Sequence, residues 1–151
     1  MTEGSRGVVE RWAHALSSQN VDDIDEILHD DFIEEYVQSG ERVIGRDNLR
    51  AVATNYPGAD EQPIHGEVHP VIGADDAYVM GPSFNITRIT GSGDEFALAG
   101  TMTYPSGAVW YLAQFVKVRD AKIWRVSTYF AEPLEPPAWR AQWVEVAERS
   151  S

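Results

Sequence analysis

Hydrophobic positions in the first third of the chain recur at the helical period. Val8, Val9, Trp12, Ala15 and Leu16 fall on one side of a helix, with His14 on the opposite, polar side. Asn20, with Asp23 three residues on, reads as a variant capping box and opens a second short helix carrying Ile24, Ile27 and Leu28. From Phe32 to Gln38 the period drops to two, which predicts a strand closed by Ser39-Gly40. Leu49, Val52, Ala53 and Tyr56 return to helical spacing, and Pro57-Gly58 stops this third helix.

Beyond Pro63 the pattern is that of strands, expected near Ile64 to Ile72, Ala77 to Thr90, Glu95 to Tyr104, Val109 to Val118 and Lys122 to Phe130. The breakers between them are short, which favours hairpins and antiparallel pairing. Pro70 and Pro82 belong at an edge or a bulge, because neither can donate a ladder hydrogen bond. Residues 1–151 therefore read as a single α+β domain, with three N-terminal helices on one face of a curved antiparallel sheet and a pocket on its concave side. The tail from Glu132 to Ser151 is rich in proline and tryptophan. Trp139 and Trp143 are expected to leave water by docking on the sheet or across a homodimer interface.

Composition narrows the chemistry. The 151 residues contain no cysteine, so thiolate catalysis, cysteine-ligated metals and disulfides are excluded. Twenty-four acidic residues against twelve basic ones give a formal net charge of -12. That field repels phosphate backbones and anionic bilayers, so neither nucleic acid nor a membrane is an expected partner. The N-terminus has no basic and apolar leader pattern, and no apolar run approaches the roughly 20 residues of a membrane span, so a cytoplasmic location is expected.

Several landmarks in fixed order carry a family likeness. They are the amphipathic first helix, the Leu28-His29-Asp30-Asp31-Phe32 run into the first strand, Gly45-Arg46-Asp47 before the third helix, and a last hairpin from Lys122-Ile123 to Tyr129-Phe130. In this arrangement the chain resembles the NTF2-like superfamily and, within it, the SnoaL-like group. The Tyr56-Pro57-Gly58 and Tyr104-Pro105-Ser106-Gly107 turns, with the Trp139-Arg140 tail, are similar to a bacterial subgroup of that family. The resemblance implies a cone-shaped fold, while its members' activities range over isomerases, cyclases, epoxide hydrolases, dehydratases and non-catalytic binding modules.

Strand parity selects the working residues. Phe32, Glu34, Tyr36 and Gln38 share one face of the first strand, and the resemblance turns Glu34 and Tyr36 into the cone. A carboxylate beside a phenol in an apolar cone can exchange a proton near neutral pH, which makes Glu34 and Tyr36 the catalytic candidates. On the last strand, parity groups Trp124, Val126, Thr128 and Phe130; on its neighbour it groups Trp110, Leu112 and Gln114. By the same match Trp110, Leu112, Gln114, Val126, Thr128 and Phe130 form a wall suited to a flat or hydrophobic small molecule. In epoxide-hydrolase-like relatives an acidic residue matches Thr128, and the companion strand, here Met80-Gly81-Pro82-Ser83-Phe84-Asn85, carries an arginine and a second aspartate. Both features are absent, so that hydrolase assignment loses its water-activating group.

No cofactor or metal is expected. His65, Glu67 and His69 lie in a row along one strand face, which reads as a hydrated surface rather than converging metal ligands. Dinucleotide, P-loop, nucleophile-elbow and zinc-protease signatures are absent. Two functions remain: a metal-independent proton-transfer enzyme of the isomerase, hydratase or cyclase type acting on a small hydrophobic molecule, and a non-catalytic ligand-binding or dimerisation domain of the same fold.

Overall fold

The computed structural model describes residues 4–18, 21–54, 83–103 and 107–147. Helix α1 spans Ser5–Ser18 and buries Val8, Val9, Trp12, Ala13 and Ala15, the stripe that the spacing predicts. Helix α2, Val21–Ile27, passes directly into strand β1, Leu28–Tyr36. A short strand β2, Glu41–Ile44, folds back on β1 before helix α3, Arg46–Thr54. Strands β3 (Ser83–Ser92), β4 (Glu95–Thr103), β5 (Val109–Arg119) and β6 (Lys122–Ala131) follow, and a 3₁₀ helix, Ala138–Trp143, is the last described element. The strand expected at 64–72, the first part (77–82) of the strand expected at 77–90, Asn20 of the capping box, and His65, Glu67 and His69 lie outside the described residues.

The six strands form one curved, unclosed sheet in the order β2-β1-β6-β5-β4-β3. The β3–β4, β4–β5 and β5–β6 pairs are antiparallel hairpin neighbours, as the short turns imply. The β1–β6 pair is parallel, and it joins the first strand of the chain to the last. Helix α1 packs on β3, β5 and β6. The core beneath it contains Trp12, Ile27, Leu28, Phe32, Leu98, Val116, Ile123 and Val126, and the Trp12 and Phe32 rings lie 6.1 Å apart. Arg46 ties α3 to β1 by donating to the Leu28 carbonyl at 2.8 Å and the Asp30 carboxylate at 2.9 Å.

Register slips interrupt three of the ladders, and the one on β6 changes which side chains face inward. Pairing of β5 with β6 slips between Lys117↔Arg125 and Val118↔Ile123, so β6 carries one extra residue there. Such a bulge re-aims a side chain. Ile123 and Val126 are buried in the core, whereas Trp124 joins Arg125 on the outer face, with the Arg119 and Arg125 guanidinium carbons 3.6 and 4.2 Å from its ring centroid. The period-two grouping of Trp124 with Val126, Thr128 and Phe130 is thus corrected by the bulge. A second slip lies between Leu28 and Ile33 on β1. Beside the β1 and β6 slips lies a cleft of about 280 Å³, walled by Ile33, Ile44, Arg119, Trp124 and Arg125 among others.

In the tail, one of the two expected placements is excluded. Trp139 and Trp143 are 74% and 71% exposed, so neither docks on the sheet of its own chain. Arg140 lies over the Trp139 ring instead. Among the described residues, no helix is long and apolar enough to cross a membrane.

Candidate functional site

Three adjacent strands repeat one pattern as they run away from the helix-covered core. On β1 the inward positions are Phe32, Glu34 and Tyr36; on β6 they are Val126, Thr128 and Phe130; on β5 they are Val116, Gln114 and Leu112. Phe32, Val126 and Val116 belong to the main core. Phe130, Leu112, Trp110 and Met102 form a second apolar cluster, with Phe84 and Ile86 packed on it. Between the two lies a single polar row of Glu34, Thr128 and Gln114, all three buried. Register produces this arrangement: Gln114 is paired with Thr128 across the β5–β6 ladder, and Glu34 and Tyr36 run beside Val126 and Thr128 across the parallel β1–β6 pair.

The polar row is continuous. Trp12 Nε1 donates to Gln114 Oε1 at 2.9 Å, Gln114 Nε2 donates to Thr128 Oγ1 at 3.2 Å, and the Thr128 hydroxyl donates to Glu34 Oε2 at 2.6 Å. Burial pushes the Glu34 carboxyl up to about 7, although the Thr128 hydroxyl acts in the opposite direction by stabilising the anion. The Tyr36 phenol is held well above its usual range by burial and by the nearby Glu34 and Glu41 carboxyls, so it stays a protonated donor throughout the physiological range. The Tyr36 ring lies 5.9 Å from that of Phe130. A carboxyl poised near neutrality, next to a phenol that keeps its proton, can accept and return a proton while the phenol supports developing charge on oxygen.

The structure brings seven of the eight residues singled out from the sequence into this one region: Glu34, Tyr36, Trp110, Leu112, Gln114, Thr128 and Phe130. Val126 sits one step deeper, 2% exposed in the main core, and supports the wall from below. Trp12 is the member that sequence parity misses. Its place on the apolar stripe marks it as packing, but a buried indole also needs a hydrogen-bond acceptor, and Gln114 is the amide available on the predicted wall. Among the described residues no three histidine, aspartate or glutamate side chains converge as metal ligands.

Residues 9–126 match the model of the SnoaL-like domain. The chain belongs to that family. No curated protein is significantly similar to this SnoaL-like chain. Among solved structures, an NTF-2-like protein of unknown function from Burkholderia xenovorans LB400 is 28% identical, with a TM-score of 0.71 and 95% of each chain covered. A candidate ketosteroid isomerase from Kribbella flavida DSM 17836 superimposes with a TM-score of 0.75 at 22% identity, over 98% of this chain and 93% of that one. An LEH-like epoxide hydrolase from M. tuberculosis gives a TM-score of 0.58 at 21% identity, over 82% and 79%. At these last two identities the likeness establishes the NTF2-like fold and leaves the chemistry to the side chains.

Proposed function

We propose that this SnoaL-like protein is a proton-transfer enzyme of the isomerase, hydratase or cyclase type, acting on a small hydrophobic molecule bound against the second apolar cluster. Glu34 takes and returns the proton, and Tyr36 donates a hydrogen bond to the oxygen on which negative charge develops. Trp110, Leu112 and Phe130 supply the apolar wall, with Gln114, Val126 and Thr128 behind it. The observation that carries this reading is the Glu34 carboxyl itself, buried at the edge of an apolar cluster and poised at about 7. Strongly perturbed carboxyls in such surroundings concentrate at functional sites. The resemblance of the fold to a candidate ketosteroid isomerase agrees with this reaction class without establishing it.

The same reading makes the protein a cytoplasmic homodimer. Tyr111, Phe115 and Tyr129 are exposed together on the outer face of β5 and β6, and the last two meet edge-on with ring centroids 6.0 Å apart. A paired copy would cover this aromatic patch.

The test is turnover on a panel of small enones, cyclic ketones and epoxides. Glu34→Gln keeps size and removes the base, so turnover falls by about 10²-fold or more. Tyr36→Phe costs less, because it removes one hydrogen bond. Unchanged turnover in Glu34→Gln across the pH range refutes the assignment. Binding without turnover by the wild type selects the second reading, a non-catalytic binding or dimerisation domain, which is favoured by threonine standing at position 128 where epoxide-hydrolase-like relatives carry an acid.

A further inference from the structure

The direction of the first two hydrogen bonds in the polar row is fixed by its first member. An indole N–H is a donor only, so the Gln114 atom facing Trp12 must be the carbonyl oxygen, and the amide nitrogen must face Thr128. An amide nitrogen is likewise a donor only. Thr128 Oγ1 therefore accepts from Gln114, which leaves its hydrogen free to be donated to Glu34 Oε2, 2.6 Å away. We propose that Trp12, Gln114 and Thr128 are positioning residues forming a one-way donor chain that keeps Glu34 Oε2 an acceptor in both protonation states and commits the exchangeable proton to Oε1. This inference rests on the reading of Glu34 as the proton-transfer group and specifies which of its oxygens works.

The consequence is both geometric and electrostatic. With Oε2 pinned from the core side, the carboxyl cannot rotate to present that oxygen to a ligand, and only Oε1 is left to meet one. A donor aimed at the anion also favours ionisation, opposing burial, so the chain holds Glu34 within reach of neutrality instead of leaving it permanently protonated. Around Glu34, α1, β5 and β6 present Trp12, Gln114 and Thr128, none of which titrates. Among the described residues the titratable group coupled to it is Tyr36 on its own strand, on which Glu41 of β2 bears in turn.

The experiment needs no substrate. Uniformly ¹⁵N,¹³C-labelled protein is titrated from about pH 3 to pH 10 while the Glu34 carboxyl carbon, the Gln114 side-chain amide and the Trp12 indole N–H are followed, with Trp12→Phe assigning the indole signal. In the wild type all three move with one midpoint. Thr128→Val keeps shape and removes the donor; the Glu34 midpoint rises by roughly one to two pH units, and the Trp12 and Gln114 signals stop following it. Thr128→Ser keeps the hydroxyl and restores both behaviours. A wild-type Trp12 signal that stays flat through the Glu34 titration overturns the chain. So does a Thr128→Val midpoint that is unchanged or lower, since a fall would mean that Thr128 accepts from a protonated Glu34. If Thr128→Val does not fold, the wild-type co-titration and Thr128→Ser still decide. A wild-type midpoint at the ordinary carboxyl value, with Trp12 tracking it, would instead retain the chain and refute the proton-transfer reading.

Discussion

Replacing Glu34 by glutamine has a sharp stability signature that depends on neither substrate nor partner. The carboxyl is 5% exposed, and burial raises it from 4.5 to about 7. Below about pH 4.5 it is protonated in both the folded and the unfolded chain and adds no pH dependence. Between about 4.5 and 7 the unfolded chain gives up this proton and the folded one retains it, so the native state loses stability steadily as pH rises. Above about 7 the loss is complete. At roughly 1.4 kcal/mol per pH unit, the whole window amounts to about 3 kcal/mol. Glutamine has nothing to ionise, and its carbonyl can still accept the Thr128 hydroxyl. The difference in unfolding free energy between Glu34→Gln and the wild type should therefore grow in favour of the variant by about 3 kcal/mol from pH 4.5 to pH 8. In thermal unfolding that is a relative gain of roughly 6–12 °C for a chain of this size. Urea denaturation at pH 4.5, 6 and 8, read by far-ultraviolet circular dichroism, measures it, and taking the change in the difference cancels every other titrating group common to the two proteins. A difference that is constant with pH, or that moves against the variant as pH rises, refutes the buried, proton-retaining carboxyl.

Other outcomes follow from separate parts of the fold. Gly100→Ala should destabilise the β3–β4 pair by about 1–3 kcal/mol in urea, because a β-carbon there would lie 2.2 Å from the Asn85 carbonyl oxygen and 2.9 Å from Ile86 Cα. Light scattering at low micromolar concentration should give twice the chain mass, and Phe115→Glu on the outer aromatic patch should return it to the monomer; a wild-type monomer refutes the dimer.

Much of the site was legible because its strands obey a period of two. Parity alone groups Glu34 with Tyr36, and Leu112 with Gln114, and the structure keeps both pairs together. Trp124 shows where parity fails: one extra residue on β6 flips every position on the far side of the slip, and nothing in the alternation announces a bulge. Strand β2 escaped notice because four residues carrying Glu41 and Arg42 show too little alternation to register. The parallel β1–β6 pair is long-range, whereas turn chemistry speaks only for neighbours in sequence, yet this pair is what lays Glu34 beside Thr128. Hydrophobicity predicts cover for Trp139 and Trp143 on the sheet or across a homodimer interface, and the single chain rules out only the first.

The threonine at 128 bears on more than the loss of one assignment. An acid at that position would stand against Glu34, whose Oε2 is 2.6 Å from the Thr128 hydroxyl, and two carboxyls that close divide one proton between them. Such a pair can protonate a leaving oxygen and activate water in the same step, as epoxide opening requires. Threonine gives Glu34 a donor and no second carboxyl, so in the proposed reaction the single buried carboxyl among the described residues would both remove the proton and return it. A group poised at about 7 suits that double duty, since comparable fractions of base and acid are present at neutral pH. One-base chemistry matches migration of a proton next to a carbonyl, with the carbonyl oxygen held by a donor such as Tyr36, better than it matches hydrolysis of a strained ether. Within the substrate panel, enones and cyclic ketones should therefore turn over and exchange their acidic hydrogens with deuterated water, and epoxides should not. Epoxide opening abolished by Glu34→Gln, with no exchange on the ketones, would mean that a second acid completes the site and that the one-base account is wrong.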